Sequence, residues 1–201
     1  MSSVRVEQLY KKYGKVEAVK GISFVVEEGE FTVLLGPSGC GKTTTLRCIA
    51  GLEIPNGGSI KFDDEDVTHL SPASRNIAFV FQLYALYPHL SVYDNIAFPL
   101  RAEKIAKENV KKQTEEVLRL LQIEDVQDLK PRKLTSGQKQ RVALGRAIVR
   151  RPRVFLLDEP LSNIDAKLRE MTRAELKKLQ KTIEATTLYV THDQVEAMTM
   201  A

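Results

Sequence analysis

The residues with the clearest chemical purpose lie between Phe31 and Leu46, FTVLLGPSGCGKTTTL. Gly36, Gly41, Lys42 and Thr43 fit G-x-x-x-x-G-K-[ST], the spacing of a phosphate-binding P-loop, with Pro37, Ser38, Gly39 and Cys40 between them. The context suits the motif: Phe31 to Leu35 is a short apolar, β-prone run, Leu46, Ile49 and Ala50 recur at helical spacing, and Gly51 offers a stop. Successive N–H groups from Ser38 to Thr43 can turn inward as a nest at a helix N-terminus, where unpaired donors and the dipole favour negative charge. Glycines at 36, 39 and 41 let that backbone wrap closely. In such a loop Lys42 reaches the β- and γ-phosphates of a nucleotide, the Thr43 hydroxyl ligates magnesium, and Thr44 places a second hydroxyl near the α-phosphate.

Other chemistry gathers at the ends of apolar runs. Val154 to Leu157, VFLL, reads as a buried strand that delivers Asp158 and Glu159. Asp158 stands where a carboxylate holds magnesium, directly or through water, facing the Thr43 hydroxyl; Glu159 can position and polarise an attacking water. Two acids at a strand end could instead cap a helix. Ile77 to Phe81 ends at Gln82, whose amide oxygen can reach magnesium and that water. Leu188 to Thr191 ends at His192, which can donate to the γ-phosphate if a backbone carbonyl near Glu159 or a loop residue fixes its tautomer; alone, it would be an ordinary strand-end histidine. Strands at 31, 77, 154 and 188 thus each bring a polar residue to the C-terminal end, where open α/β sheets bind ligands.

The elements that must hold these residues fall into three stretches. Residues 1–82 carry an opening strand, with Val4, Val6 and Gln8 on one face and Arg5, Glu7 and Leu9 on the other, and then a second run with Ile22, Phe24 and Val26 ended by Gly29. Between them Tyr13 comes toward the nucleotide from outside the P-loop, as an adenine platform or as a partly buried edge tyrosine. Pro55 to Gly58 reads as a turn, Ser59 to Phe62 as a strand and Asp63 to Asp66 as an acidic loop. Residues 83–150 form an inserted helical subdomain: the apolar loop LYALYPHL, a helix over 103–121, and a second helix over 138–149 introduced by Leu134 to Gln138. Residues 151–201 return to strand and helix, with an amphipathic helix over 166–181 using Leu168, Met171, Leu176 and Leu179. The fold class is α/β: a P-loop NTPase core with a mixed sheet, an antiparallel N-terminal β subdomain and the helical insert.

Thr135, Ser136, Gly137 and Gln138 open a helix, a second phosphate-binding geometry, yet they lie on a different lobe from Lys42 and Asp158. Two chains arranged head to tail would let the Ser136 and Gly137 N–H groups of each cap the γ-phosphate held by the Lys42 of the other.

Composition sets limits. The 201 residues suffice for one domain with a subdomain, and 30 Lys and Arg against 26 Asp and Glu leave a formal charge of only +4, spread along the chain. Short basic runs such as Lys111-Lys112 and Arg150-Arg151 read as solvated faces, so nucleic acid is not an expected partner. No window approaches the roughly 18 apolar residues of a membrane span, and no signal peptide opens the chain. Cys40 and Cys48 are isolated, which suggests neither a disulfide nor a metal cluster.

Taken together, Gly36 to Thr44, Gln82, Leu134 to Gln138, Val154 to Glu159, Ser162 to Asp165 and His192 resemble the nucleotide-binding domain of an ATP-binding cassette transporter over nearly the whole chain. Within it, FQLYALYPHLSVYDNIAFPL, GQKQRVALGRAIVR and DEPLSNIDAKLR are similar to the carbohydrate-importer branch, whose ATPase subunits include the maltose-uptake type. The resemblance implies Mg-dependent ATP hydrolysis that drives import of a sugar or another solute, with ATP and Mg2+ bound. It implies Tyr13 as the adenine-stacking residue, Glu159 as general base, His192 as switch residue, Gln82 as the coupling loop and Asp165 as a residue crossing the dimer interface. It further implies a homodimer or a closely related ATPase partner, and permease subunits docked near Tyr84 to His89. The location would then be peripheral, on the cytoplasmic face of the membrane, with the isolated piece soluble.

Two departures stand out. The family signature LSGGQ reads LTSGQ here, so Ser136 sets a side chain where glycine approaches phosphate, either adding a donor or loosening closure. The chain stops at Ala201, nine residues past His192, where the fold normally continues, so it is expected to be a fragment or truncated form. The alternatives are a soluble cassette ATPase acting on nucleic acid or ribosomes, or an importer ATPase for a solute other than sugar.

Overall fold

The computed structural model describes residues 1–82, 85–162 and 166–200, with only the backbone of Ala166, Lys167, Leu168 and Met171. The chain divides into two compact units, Met1–Phe79 with Pro152–Glu159 and Arg173–Ala201, and Val80–Arg151 with Pro160–Thr172.

In the first unit, β1 (Val4–Tyr13), β2 (Val16–Val26), β4 (Gly57–Phe62) and β5 (Glu65–Asp66) form an antiparallel sheet in the order β2-β1-β4-β5. A second sheet has the order β3-β8-β7-β6, from β3 (Phe31–Leu35), β8 (Thr186–Thr191), β7 (Val154–Asp158) and β6 (Ile77–Val80). Its β3–β8 and β8–β7 pairs are parallel. Helix α1 (Lys42–Ala50) follows β3, and its Leu46, Ile49 and Ala50 join Val4, Val6, Ile60, Phe62, Leu156 and Val190 in one core. Gly51 stops α1 in a left-handed conformation, as its position in the sequence suggests. The unit ends with α5 (Ala166–Ile183), from Arg173 onward, and α6 (Gln194–Met200), a helix that the sequence reading does not anticipate.

Strict alternation along the first strand places Leu9 opposite Val4 and Val6, but all three are buried. The register slips between Val6 and Leu9 against β2 and between Glu7 and Tyr10 against β4, and Gln8 adopts φ 47°. That bulge adds one residue and returns Leu9 to the core face. Gly58 permits it: its φ is +83°, and a Cβ there would collide with the Glu7 and Gln8 carbonyls. Gly57 and Gly58 are therefore strand, not turn, and the acidic loop is a hairpin whose arm β5 pairs with Lys61 and Phe62.

Arg75 is 1% exposed, and its guanidinium donates to four carbonyls: Cys48 and Ile49 at the end of α1 (2.7 and 2.8 Å), Thr68 (2.9 Å) and Leu70 (3.0 Å). A planar fork suits that arrangement better than a point charge. Arg75→Ala would leave these acceptors unpaired beside a cavity, a cost of about 3 kcal/mol or more. Urea unfolding should read this loss; a change below about 0.5 kcal/mol, the scale of a neutral surface substitution, would remove the clamp from the account.

In the second unit, α2 (Val92–Ala102), α3 (Lys107–Leu120) and α4 (Ser136–Ile148) pack together. Helix α3 begins later than the 103–121 pattern suggests, because Lys104 takes φ 58° and Ala106 caps the N-terminus. Pro99 disguises α2, which nonetheless starts cleanly on Ser91, whose hydroxyl accepts from the Asp94 N–H at 3.0 Å. Gly145 of α4 lets the helices approach; a Cβ would lie 3.0 Å from Ile96 and Leu121 methyl carbons.

Candidate active site

The parallel register sets three strand ends level, with Leu35 opposite Thr191 and Asp158 opposite Val190. The P-loop leaves β3 at Gly36 and enters α1 through Gly41, which serves as N-cap at φ 96°. A Cβ on Gly41 would collide with the Ala18 carbonyl of β2, so glycine alone leaves the loop its path there, and one on Gly36 would lie 2.7 Å from Cys40 Sγ, which would have to turn aside. The turn closes through Cys40 N–H to Pro37 O at 3.4 Å. Ser38 and Gly39 form its tip, exposed like Cys40, which is a free thiol. Lys42 is 9% exposed and donates from Nζ to the carbonyls of Gly36 (2.8 Å) and Pro37 (2.9 Å), so its ammonium sits within the curl of the loop. Thr44 stands in the first turn of α1, where N–H groups have no intrahelical partner.

Thr43 Oγ1 donates to Asp158 Oδ1 at 2.8 Å, joining the start of α1 to the end of β7 as the sequence suggests. Burial holds the Asp158 carboxyl above its ordinary range, and the Thr43 hydroxyl bond opposes that shift. A carboxylate 7% exposed beside a hydroxyl is a donor set that gains from a hard divalent cation, so the residues present fit magnesium.

Glu159 follows at φ 46°, a left-handed conformation unusual for a non-glycine residue, with its N–H bonded to Val190 O at 3.1 Å. This twist turns its side chain to His192, whose Nδ1 lies 3.2 Å from Glu159 Oε2. The histidine is thus held by the Glu159 carboxylate, where the sequence leads one to expect a backbone carbonyl near Glu159 or a loop residue. An imidazole that donates from Nδ1 to a carboxylate can donate from Nε2 to phosphate only as the imidazolium.

Glu196 escapes the sequence reading. It is 4% exposed and accepts from the Tyr189 hydroxyl at 2.9 Å and the Thr191 hydroxyl at 2.6 Å, which fixes the strand end that presents His192. Its place four residues after His192, among apolar neighbours on α6, is the only sequence signal for it. Tyr13 ends β1 and is 44% exposed, in keeping with an aromatic face open to a ligand.

The second unit carries the remaining residues. Gln82 donates from Nε2 to Ser162 Oγ at 3.1 Å. Thr135 caps α4 in a capping box: its hydroxyl accepts from Gln138 N–H at 3.3 Å, and Gln138 Oε1 accepts from Thr135 N–H at 3.0 Å. Ser136 and Gly137 are the first two residues of that helix, which therefore starts two residues before the expected Gln138. Asn95 binds the loop before α2, accepting from Tyr87 N–H at 2.9 Å and donating to Tyr87 O and Ser91 O at 3.1 and 2.8 Å. Arg146 donates to Ala85 O at 2.7 Å and lies over the Tyr87 ring. Tyr84 and Asp165 lie outside the described residues. Among the described residues no helix is long and apolar enough to cross a membrane.

The sequence model described as ABC transporter matches residues 19–162. The trehalose/maltose import ATP-binding protein MalK of Thermococcus litoralis is 57% identical over 206 residues, covering all of this chain and 55% of that protein. The diacetylchitobiose uptake system ATP-binding protein MsiK of Streptomyces coelicolor is 57% identical over 91% of this chain and 48% of its own length. The chain thus spans about half the length of the curated relatives it matches. Among solved structures, a dimeric, post-hydrolysis ATP-binding cassette bound to ADP and Pi superposes with a TM-score of 0.83 at 32% identity, over 98% of this chain and 90% of that one. Cassettes of this kind bind ATP and magnesium. With the match covering most of its length and the P-loop, Asp158 and His192 placed at the level ends of a parallel sheet, the chain belongs to the ABC transporter family.

Proposed function

We propose that this chain is the ATP-hydrolysing portion of an importer's energy-coupling subunit. The observation that carries the reading is the joining of Thr43 to Asp158 at 2.8 Å beside a Glu159 carboxylate held by His192 at 3.2 Å, all at one sheet edge. The Ser38 to Thr44 amides and hydroxyls and the Lys42 ammonium receive the phosphate oxygens of ATP, and Tyr13 takes the adenine. Thr43 and Asp158 would hold magnesium. A divalent ion held there would supply positive charge to offset the phosphate oxygens. Glu159 aligns the attacking water and accepts its proton, while His192, braced on Glu159, donates from Nε2 to the γ-phosphate.

The partner is a second copy or a closely related ATPase, placed head to tail so that Thr135 to Gln138 of one chain cover the nucleotide of the other and Asp165 lies at the crossing. The existence of a dimeric, ADP-bound cassette with the same fold supports a pair of chains. Residues 83–150 serve as the helical subdomain whose loop at 84–89 receives a permease on the cytoplasmic side of a membrane. The named relatives that import trehalose, maltose and diacetylchitobiose support a sugar as the solute. Phosphate release from ATP that needs magnesium, and falls at least tenfold in Asp158→Asn, is the expected result. Release unchanged by chelation or by that substitution would remove this site from the reaction.

A further inference from the structure

Lys11 and Glu53 take no part in the chemistry above, yet both crowd Tyr13. Lys11 Nζ stands 4.9 Å from the Tyr13 ring centroid, donates to Ile54 O at 2.7 Å and lies 3.2 Å from Glu53 Oε2. Its side chain is only 12% exposed, so the ammonium is fixed from three directions. The loop bearing Glu53 and Ile54 is itself stitched down on two sides. Lys12 N–H donates to Asn56 Oδ1 at 2.9 Å and Asn56 N–H to Tyr10 O at 2.8 Å, on β1. Leu52 and Glu53 N–H donate to Arg47 O at 2.9 and 3.2 Å, on α1. The phenol of Tyr13 is raised above its ordinary value by burial and then by the Glu53 charge, with Lys11 opposing, so both groups act on the ring.

A lysine held against an aromatic face contributes a cation–π attraction, and its fixed position also sets the plane of the ring. We propose that Lys11 and Glu53 are positioning residues that hold Tyr13 as a one-sided platform for the adenine of the nucleotide. The proposal rests on the reading of Tyr13 as the base-stacking residue. It explains why a charged pair is anchored simultaneously to β1 and to the helix that follows the phosphate loop: the base platform and the phosphate cradle are kept in fixed relation, which lowers the ordering cost of binding.

The test compares ATP with inorganic tripolyphosphate, which has the charges but no base, in titrations of the 201-residue chain and its variants at about 0.15 M salt, where remote charges are screened. Lys11→Met and Glu53→Gln should each weaken ATP about three- to fivefold, the scale of a partly exposed cation–π contact. Lys11→Arg should restore wild-type affinity, and tripolyphosphate affinity should stay the same throughout. If Tyr13→Ala weakens ATP while Lys11→Met does not, the positioning role is wrong and the platform stands. Equal losses for both ligands in Lys11→Met would also overturn it, as a general effect on the loop. A wild-type chain that binds ATP no more tightly than tripolyphosphate, with Tyr13→Ala silent, would remove the platform and the proposal with it.

Discussion

Glu159→Gln is expected to bind ATP as the parent chain does and to release phosphate about 10²- to 10⁴-fold more slowly, the loss that accompanies removal of a general base. The amide keeps the shape of the carboxylate and can still accept from His192 Nδ1, now 3.2 Å from Glu159 Oε2, so the local geometry is preserved. What disappears is the basic oxygen that takes the proton from water. That loss acts on the chemical step rather than on binding. The backbone also supports a specific role: Glu159 is held at φ 46°, and strain at a non-glycine residue on a strand end persists where surrounding contacts over-determine it. Single-turnover phosphate release, with affinity measured separately, distinguishes the cases. Near-normal turnover would dismiss Glu159 as the base, and a matched loss of affinity would place it in ground-state binding instead.

Lys42→Ala should show the opposite profile, with ATP affinity falling about 10- to 100-fold, as loss of charge-assisted hydrogen bonds to phosphate implies. In the structure the ammonium is bound by the Gly36 and Pro37 carbonyls, at 2.8 and 2.9 Å, and is almost buried. Those two bonds hold the amine inside the loop, within reach of anything the loop encloses. Lys42→Arg makes the sharper companion: it retains the charge, but a planar fork replaces a compact ammonium in a curl shaped by Gly36 and Gly41. It should also bind weakly. Nucleotide titration gives the answer, and unchanged affinity in Lys42→Ala would remove the lysine from the phosphate site.

The phosphate loop is legible in the sequence because every part of it is local: strand, glycines, lysine and helix stop follow one another within 21 residues from Phe31 to Gly51. The joining of Thr43 to Asp158 is legible for a different reason, since parallel strands with polar residues at their ends converge on one edge. What pattern alone misses is set by partners remote in sequence. The phase of β1 depends on a bulge that Gly58 of another strand tolerates, so alternation sends Leu9 to the wrong face. Helix α2 is hidden by Pro99, although its Ser91 cap was present to be read. The hold of Glu159 on His192, and of Glu53 on Lys11 beside Tyr13, each joins residues more than 30 positions apart through a fold that no short window contains.

The central claim is that two chains build each ATP site, and the direct test is the rate of phosphate release from Mg-ATP per chain as protein concentration rises. The account predicts a rate per chain that climbs with concentration and then levels off, with Ser136 accepted in the signature segment. A rate per chain that is substantial and independent of concentration down to the nanomolar range would contradict it, because one chain would then hold everything the reaction needs.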